Sequence, residues 1–255
     1  MPPMRSRCCF VCVLLVLLPH LSVSVTQADD ALAIRNFYTS TNGASWREGF
    51  RWIDPTKDPC DDFELFQGLK CSGNLGDPNR RVTSITLSFL LISGTLMETF
   101  GLMTHLTEIF LSSNAIGGQL PLSLCNMTML TTLNLWNNKF VGPIPPCIGN
   151  ATSLVRLDLR NNGLSGGIPP SMQQMRNLAD LYLSSNKLSG PIPSFLGNMA
   201  SLRVLYLSYN FFAGAIPDTL NNKKCGPTAF TWLDLRSNKG INGTTPAVAT
   251  YMQAI

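Results

Sequence analysis

Apolar residues recur along this chain at a fixed interval: Leu106, Leu130, Leu154, Leu178 and Leu202 each open a block of 24 residues with one internal pattern. Apolar side chains stand at places 1, 4, 6, 11 and 15 of the block, Asn at 9, Gly at 13 and Pro at 16. One block reads Leu154, Leu157, Leu159, Asn162, Leu164, Gly166, Ile168, Pro169, and the next Leu178, Leu181, Leu183, Asn186, Leu188, Gly190, Ile192, Pro193. An earlier block opens at Val82, with Leu90 where Asn is expected and Met97 in place of Pro. The block from Leu202 is stretched by an insertion around Asn221 to Thr228, and the last, from Phe230, slips by one residue before Gly243 and Pro246. A fixed period of this length signals a solenoid. Its coils cover 82–105, 106–129, 130–153, 154–177, 178–201, 202–229 and 230–254.

The residue types say how each coil is built. Places 4 and 6 are two apart, so on a strand both point inward while 3, 5 and 7 point out. Stacked coils then form a parallel sheet. Asn at place 9 carries an amide that can satisfy bare backbone groups of adjacent coils, predicting a ladder through Asn114, Asn138, Asn162, Asn186, Asn210 and Asn238. Gly at 13 permits close backbone approach, and Pro at 16 can start a helical turn on the outer side. The pattern resembles that of the leucine-rich repeat family, and its Gly-x-Ile-Pro ending resembles the plant-type subclass. The resemblance implies an α/β solenoid: a curved horseshoe of about seven coils with a parallel β-sheet on its concave face and a small disulfide-stapled amino-terminal cap.

That cap is expected over 29–81. Ala31, Leu32, Ile34, Phe37 and Tyr38 lie close to one face of a helix from Asp30 to Tyr38, with Asp29 or Asp30 able to cap it. Thr41, Asn42 and Gly43 break it, and Trp46, Phe50 and Trp52 are large enough to seal the end of an apolar stack. Cys60 and Cys71 flank a short segment and are expected to bridge. The stretch Phe66-Gln67-Gly68-Leu69-Lys70-Cys71 resembles the Trp-x-Gly-Val-x-Cys ending of plant-type caps, with Phe for Trp. Cys125 and Cys147 sit on neighbouring turns at places 20 and 18, an offset that leaves open whether their α-carbons come within ~7 Å. Cys225 has no evident partner.

Residues 1–28 read as a cleavable secretory address: Arg5 and Arg7 precede an apolar run from Cys8 to Leu18, and Thr26-Gln27-Ala28 makes a small-residue exit. The mature chain is then extracellular from near Asp29, secreted or at the cell surface. No later stretch approaches the roughly 20 apolar residues of a spanning helix. The net charge of +4 includes Arg5 and Arg7, leaving too little basic character for nucleic acid. Arg80-Arg81 and Lys223-Lys224 read as solvated charges at a cap and in a loop. The repeats end at a block boundary, Ile255, without a recognisable carboxy-terminal cap.

Stacking turns each outward place into a column. Place 5 runs Thr86, Phe110, Asn134, Asp158, Tyr182, Tyr206, Asp234; place 7 runs Ser88, Ser112, Trp136, Arg160, Ser184, Ser208, Arg236. Place 3 adds Arg156, Asp180 and Trp232, and place 8 adds Phe89 and Tyr209. Trp136, Tyr182, Tyr206, Tyr209 and Trp232 thus stand beside Arg156, Asp158, Arg160 and Asp180, the composition of a surface that recognises a protein or peptide. A glycan is the other ligand class these aromatics admit. Sequons at Asn126, Asn150 and Asn242 predict glycosylation, the first two at place 21 on the outer side. His105 is the one histidine after the address and is expected at a solvated junction; no cluster has metal spacing and no acid–base set appears, so neither a cofactor nor an enzyme is expected. Family resemblance implies a receptor ectodomain, a secreted inhibitor of a cell-wall-degrading hydrolase such as polygalacturonase, or a structural surface glycoprotein. The recognition module is the reading that the columns favour.

Overall fold

A computed structural model describes residues 26–47, 52, 57–61, 66–74, 77, 79–222 and 229–242. The secretory address through residue 25, Phe50, Lys223-Lys224, Cys225, Gly243, Pro246 and Ile255 lie outside the described residues. Helix α1 (Gln27–Ser40) begins three residues before the expected Asp30. Thr26 is its N-cap, and the Thr26 backbone N–H donates to the Asp29 carboxylate at 2.6 Å, satisfying a donor that the helix leaves bare. The expected processing point after Ala28 therefore falls inside the helix. Asp30 does not cap it. Asp30 is fully buried, and its carboxylate accepts from Arg81 Nε at 2.8 Å, Arg81 Nη2 at 2.6 Å and the Val82 N–H at 2.9 Å.

The expectation that Arg80 and Arg81 are solvated is overturned by the same junction. Arg81 is 6% exposed and pairs with Asp30; Arg80 is 1% exposed and donates to the carbonyls of Cys60 and Ser72. Both guanidiniums lie where α1, the disulfide segment and the first coil meet, and each finds acceptors there. Next to them an aromatic plug closes the stack. Phe37 sits 5.6 Å from Trp46, 6.0 Å from Trp52 and 5.4 Å from Phe100 of the first coil, and Trp52 contacts Phe66 at 5.6 Å. Burying such rings stabilises by about 2–3 kcal/mol each. The Cys60–Cys71 bridge forms, with α-carbons 5.7 Å apart.

Among the described residues, the concave sheet has eight strands. Leu69–Cys71 pairs antiparallel with Val82–Thr86, and the rest are parallel: Glu108–Phe110, Thr132–Asn134, Arg156–Asp158, Asp180–Tyr182, Val204–Tyr206 and Trp232–Asp234. Equal places pair across neighbouring coils: Leu157 opposite Leu181, Leu181 opposite Leu205, and Leu205 opposite Leu233 across the insertion. Places 1, 4, 6, 11 and 15 supply a continuous buried core. The asparagine ladder forms as expected. In coil 5, Asn186 Nδ2 donates to Leu159 O at 2.9 Å and Leu183 O at 3.1 Å, while its Oδ1 accepts from Leu164 N at 3.0 Å.

A second sheet, of seven parallel strands among the described residues, runs along one flank from Ser93–Thr95 through Gly240–Asn242. Nothing in the residue pattern announces it. The place-13 glycines lie in it with positive φ, 96° at Gly94, where an added Cβ would meet Ser40 O at 2.0 Å. Outer turns at Glu98–Leu102, Leu122–Asn126, Ile148–Asn150 and Pro170–Gln174 are 3₁₀, and Phe195–Asn198 and Asp218–Asn222 are α-helical. Cys125 and Cys147 bridge with α-carbons 5.6 Å apart, because Cys147 precedes its short turn while Cys125 lies within the preceding one. No helix among the described residues is long and apolar enough to cross a membrane.

Candidate recognition surface

The concave strands bring most of the expected residues into one strip. Across successive coils, Arg160 Cζ lies 5.9 Å from the centre of the Trp136 ring and 4.6 Å from that of Tyr182, and Arg156 Cζ lies 4.9 Å from Tyr182. Tyr182 then packs on Tyr206 with centroids 5.2 Å apart, and Tyr206 stacks on Trp232 at 5.7 Å with planes 9° apart. The strand register explains the series: place 5 of one coil pairs directly with place 5 of the next, as Tyr182 does with Tyr206, within reach of ring contact. Strip members from Trp136 to Trp232 are half-buried, because each covers part of its neighbour.

Asp158 is the exception among the expected contact residues. It is 1% exposed and cannot meet a partner; it accepts from Arg160 Nε at 2.9 Å, Nη2 at 2.6 Å and backbone N–H at 3.2 Å. Its role is to aim Arg160 at the two rings. The same clamp recurs at Asp234, which accepts from Arg236 Nε at 2.9 Å, Nη2 at 2.8 Å and N–H at 3.1 Å. The sequence signal for this second clamp is the stretch Leu233-Asp234-Leu235-Arg236, which repeats Leu157-Asp158-Leu159-Arg160. Burial pushes the Asp234 carboxyl up, but hydrogen bonds from the Arg236 side chain, the Arg236 backbone and Ser208, with the charge of Arg236, outweigh it and hold the group below its ordinary value.

Arg156 and Asp180 approach only to 3.8 Å with side chains 43% and 27% exposed, an ion pair of small energetic weight. Burial first, then nearby Asp180, pushes the Tyr182 phenol above its ordinary value. Burial does the same for Tyr206, aided by Tyr182 and Asp234. Tyr209 stands apart: at place 8 it is 57% exposed with φ 55°, on the rim between the two sheets rather than in the stack.

Asn126 and Asn150 are exposed at the ends of outer turns, remote from the concave strands. Asn242 is exposed in the flank sheet, while Gly243 and Thr244 of its sequon lie outside the described residues. His105 is half-buried rather than solvated; desolvation and then the charge of Arg81 lower its pKa. Among the described residues, no group of three or more His, Cys, Asp or Glu could hold a metal ion.

A period of 24 residues, stacked parallel strands and an asparagine ladder meet their counterpart in known sequences: a family profile described as Leucine rich repeat matches residues 152–212, and a second described as Leucine Rich Repeat matches 105–127 and 129–151. The chain is a plant-type leucine-rich repeat protein. Among solved structures, this leucine-rich repeat chain is similar to the LRR ectodomain of the plant membrane receptor kinase GASSHO1/SCHENGEN3 from Arabidopsis thaliana in complex with Casparian strip integrity factor 2. The identity is 29%, the TM-score 0.73, and the match covers 86% of this chain and 25% of that one. It is similar to a pollen receptor kinase 3 at 27% identity and TM-score 0.65, covering 81% of this chain and 93% of that one. The Arabidopsis receptor kinase HAESA, solved with the peptide hormone IDA and the co-receptor SERK1, matches at 31% identity and TM-score 0.59, over 64% of this chain and 26% of that one. The chain thus spans about a quarter of the length of GASSHO1/SCHENGEN3 and of HAESA. No curated relative matches it by sequence.

Proposed function

We propose that this leucine-rich repeat protein is an extracellular, non-catalytic recognition module that holds a protein or peptide along the strip from Trp136 to Trp232. The observation that carries the reading is the stack itself. Tyr206 has rings on both sides, Tyr182 has Tyr206 on one side and two guanidiniums packed against it, and Arg160 is fixed by a buried carboxylate. Such a strip is ordered before a partner arrives, which lowers the entropic cost of binding. Rings and guanidiniums also take up the faces of Tyr182 and Tyr206, which suits a polypeptide better than a sugar that must lie flat on a ring. HAESA, similar over part of its length, was solved with a peptide hormone. The two disulfides suit an oxidising compartment, and glycans on Asn126 and Asn150 would leave the concave face free. Residues 1–28 serve as the secretory address in this reading.

The test is partner capture from the extracellular fluid of the source tissue on immobilised wild-type chain and on W136A/Y182A/Y206A, with circular dichroism confirming that both are folded at the assay temperature. Wild type retains a protein or peptide that the variant loses. Equal capture by both would sink the assignment of the strip.

A further inference from the structure

Beyond the concave strip, the flank carries a pattern of its own. Place 8 lies on the rim and reads, from coil 1 to coil 7, Phe89, Ser113, Asn137, Asn161, Ser185, Tyr209, Ser237; its first six members run aromatic, serine, asparagine, asparagine, serine, aromatic. All six adopt left-handed φ, between 53° and 62°. Serine and asparagine suit that conformation or do little harm there, whereas a bulky aromatic is an outlier. Phe89 and Tyr209 are nevertheless 60% and 57% exposed, so packing within the chain does not account for them. Place 10, beside them, repeats the ends of the pattern with Leu91 and Phe211, exposed by 73% and 65%. Two apolar patches therefore stand on one rim, five coils apart, or roughly 24 Å at the spacing of adjacent strands.

We propose that this flank pairs with the flank of a second copy of the chain, antiparallel, about a two-fold axis that runs along the strands between coils 3 and 4. Such an axis reverses the order of the coils and keeps each place opposite itself. An isologous contact demands a patch that is complementary to itself under the two-fold, and place 8 of coils 1 to 6 supplies one, with coil 7 outside the pairing. Phe89 meets Tyr209, Ser113 meets Ser185, and Asn137 meets Asn161. Place 10 is complementary rather than identical. Leu91 meets Phe211, while Lys139 faces Gly163 and Lys187 faces Ala115, so each lysine stem has room and no lysine opposes another. Place 12 adds only small or medium residues: Ser93 opposite Ala213, Gly117 opposite Ser189, and Val141 opposite Ser165.

A parallel arrangement of the two copies about an axis along the solenoid would instead set place 8 against the far edge of the flank sheet, and the matched apolar pairs would be lost. Six coils of flank, about 29 Å long and one short strand of about 17 Å wide, cover on the order of 1,000 Å² counted over both copies, the lower limit for a specific interface. A weak, reversible dimer follows. Its contact lies on the flank, so both concave strips stay open, and Asn126 and Asn150 project from the outer side.

The experiment is sedimentation velocity on the full secreted chain from ~1 to ~100 μM, the range suited to an interface of this size, with wild type, L91K, F211E and L91K/F211E. Each substitution acts twice in a symmetric dimer. Wild type shifts from monomer to dimer across the series, and each single variant remains monomeric. The double variant dimerises again, because the lysine introduced in coil 1 of one copy reaches the glutamate introduced in coil 6 of the other. The two positions are too far apart in one chain to compensate each other. Both are exposed surface, and circular dichroism confirms folding. A monomeric wild type, a dimer indifferent to F211E, or a double variant that fails to recover would each overturn the proposal.

Discussion

Replacing Asn186 by Ala tests how the coils are held together, and the cost can be worked from its partners. Leu159 O accepts from Asn186 Nδ2 at 2.9 Å and also from Asn162 Nδ2 at 3.1 Å; Leu183 O accepts from Asn186 at 3.1 Å and from Asn210 at 2.9 Å. Each carbonyl keeps one amide donor after the substitution. The Leu164 N–H, however, donates to Asn186 Oδ1 in a buried setting and loses that acceptor. Orphaning a buried N–H costs about 1–3 kcal/mol, and two further neutral hydrogen bonds contribute about 1 kcal/mol each, so the loss is roughly 3–5 kcal/mol. With a urea slope of about 3 kcal/mol per molar, the unfolding midpoint falls by roughly 1–1.7 M. Asn186→Asp separates the two halves of the amide. Its carboxylate still accepts from Leu164 N but turns a second oxygen toward carbonyls where a donor was, so it is expected to cost more than Ala at neutral pH. A midpoint for N186A within about 0.3 M of wild type, equivalent to about 1 kcal/mol at that slope, would refute the reasoning and mean that water satisfies these groups. So would an N186D chain as stable as N186A.

Two further predictions concern the carboxylates. Because the Asp234 carboxyl is held below its ordinary value in the folded chain, its contribution is present above about pH 4 and is lost as the pH falls through the depressed value; the difference in urea midpoint between wild type and D234N should shrink on acidification, and a difference independent of pH would contradict the clamp. Asp30→Ala leaves Arg81 buried without its carboxylate and is expected to cost about 3–5 kcal/mol in urea unfolding, much of it recovered in D30A/R81L; a double variant no better than D30A would show that the pair acts through more than its charge.

The repeat was legible because the residues that specify it make the same contact in coil after coil: place 4 packs on place 4 of the next coil, and place 9 reaches place 6, as Asn186 reaches the carbonyls of Leu159 and Leu183. Periodicity carries such contacts, and the parallel concave sheet, the ladder and the outer turns follow from it. It does not carry a contact with a residue outside the repeat. Arg81 reads as a solvated charge because its partner, Asp30, stands 51 residues earlier in a segment outside the repeat. The flank sheet was invisible for another reason: its strands run through Gly, Ser and Pro, which have little tendency to form strands, and only the stacking of neighbouring coils lines up their backbones.

The outward columns failed in the same way at Asp158, and Asp234, Ser112, Ser184 and Ser208 are covered as it is. Assigning place 5 to solvent treats Asp158 like Tyr182, yet Asp158 is covered while Tyr182 is half exposed. The arginine two residues on folds back over the shorter side chain, and the guanidinium then rests on the neighbouring tyrosine. A place in the repeat therefore fixes which way a side chain leaves the strand, while its length and its neighbours decide whether it arrives at solvent. This makes Arg160 the residue through which Asp158 acts, and it means that substitution of Asp158 should alter recognition only by releasing Arg160. An effect of D158N on capture that persists in an R160A background would show instead that Asp158 is reached by the partner directly.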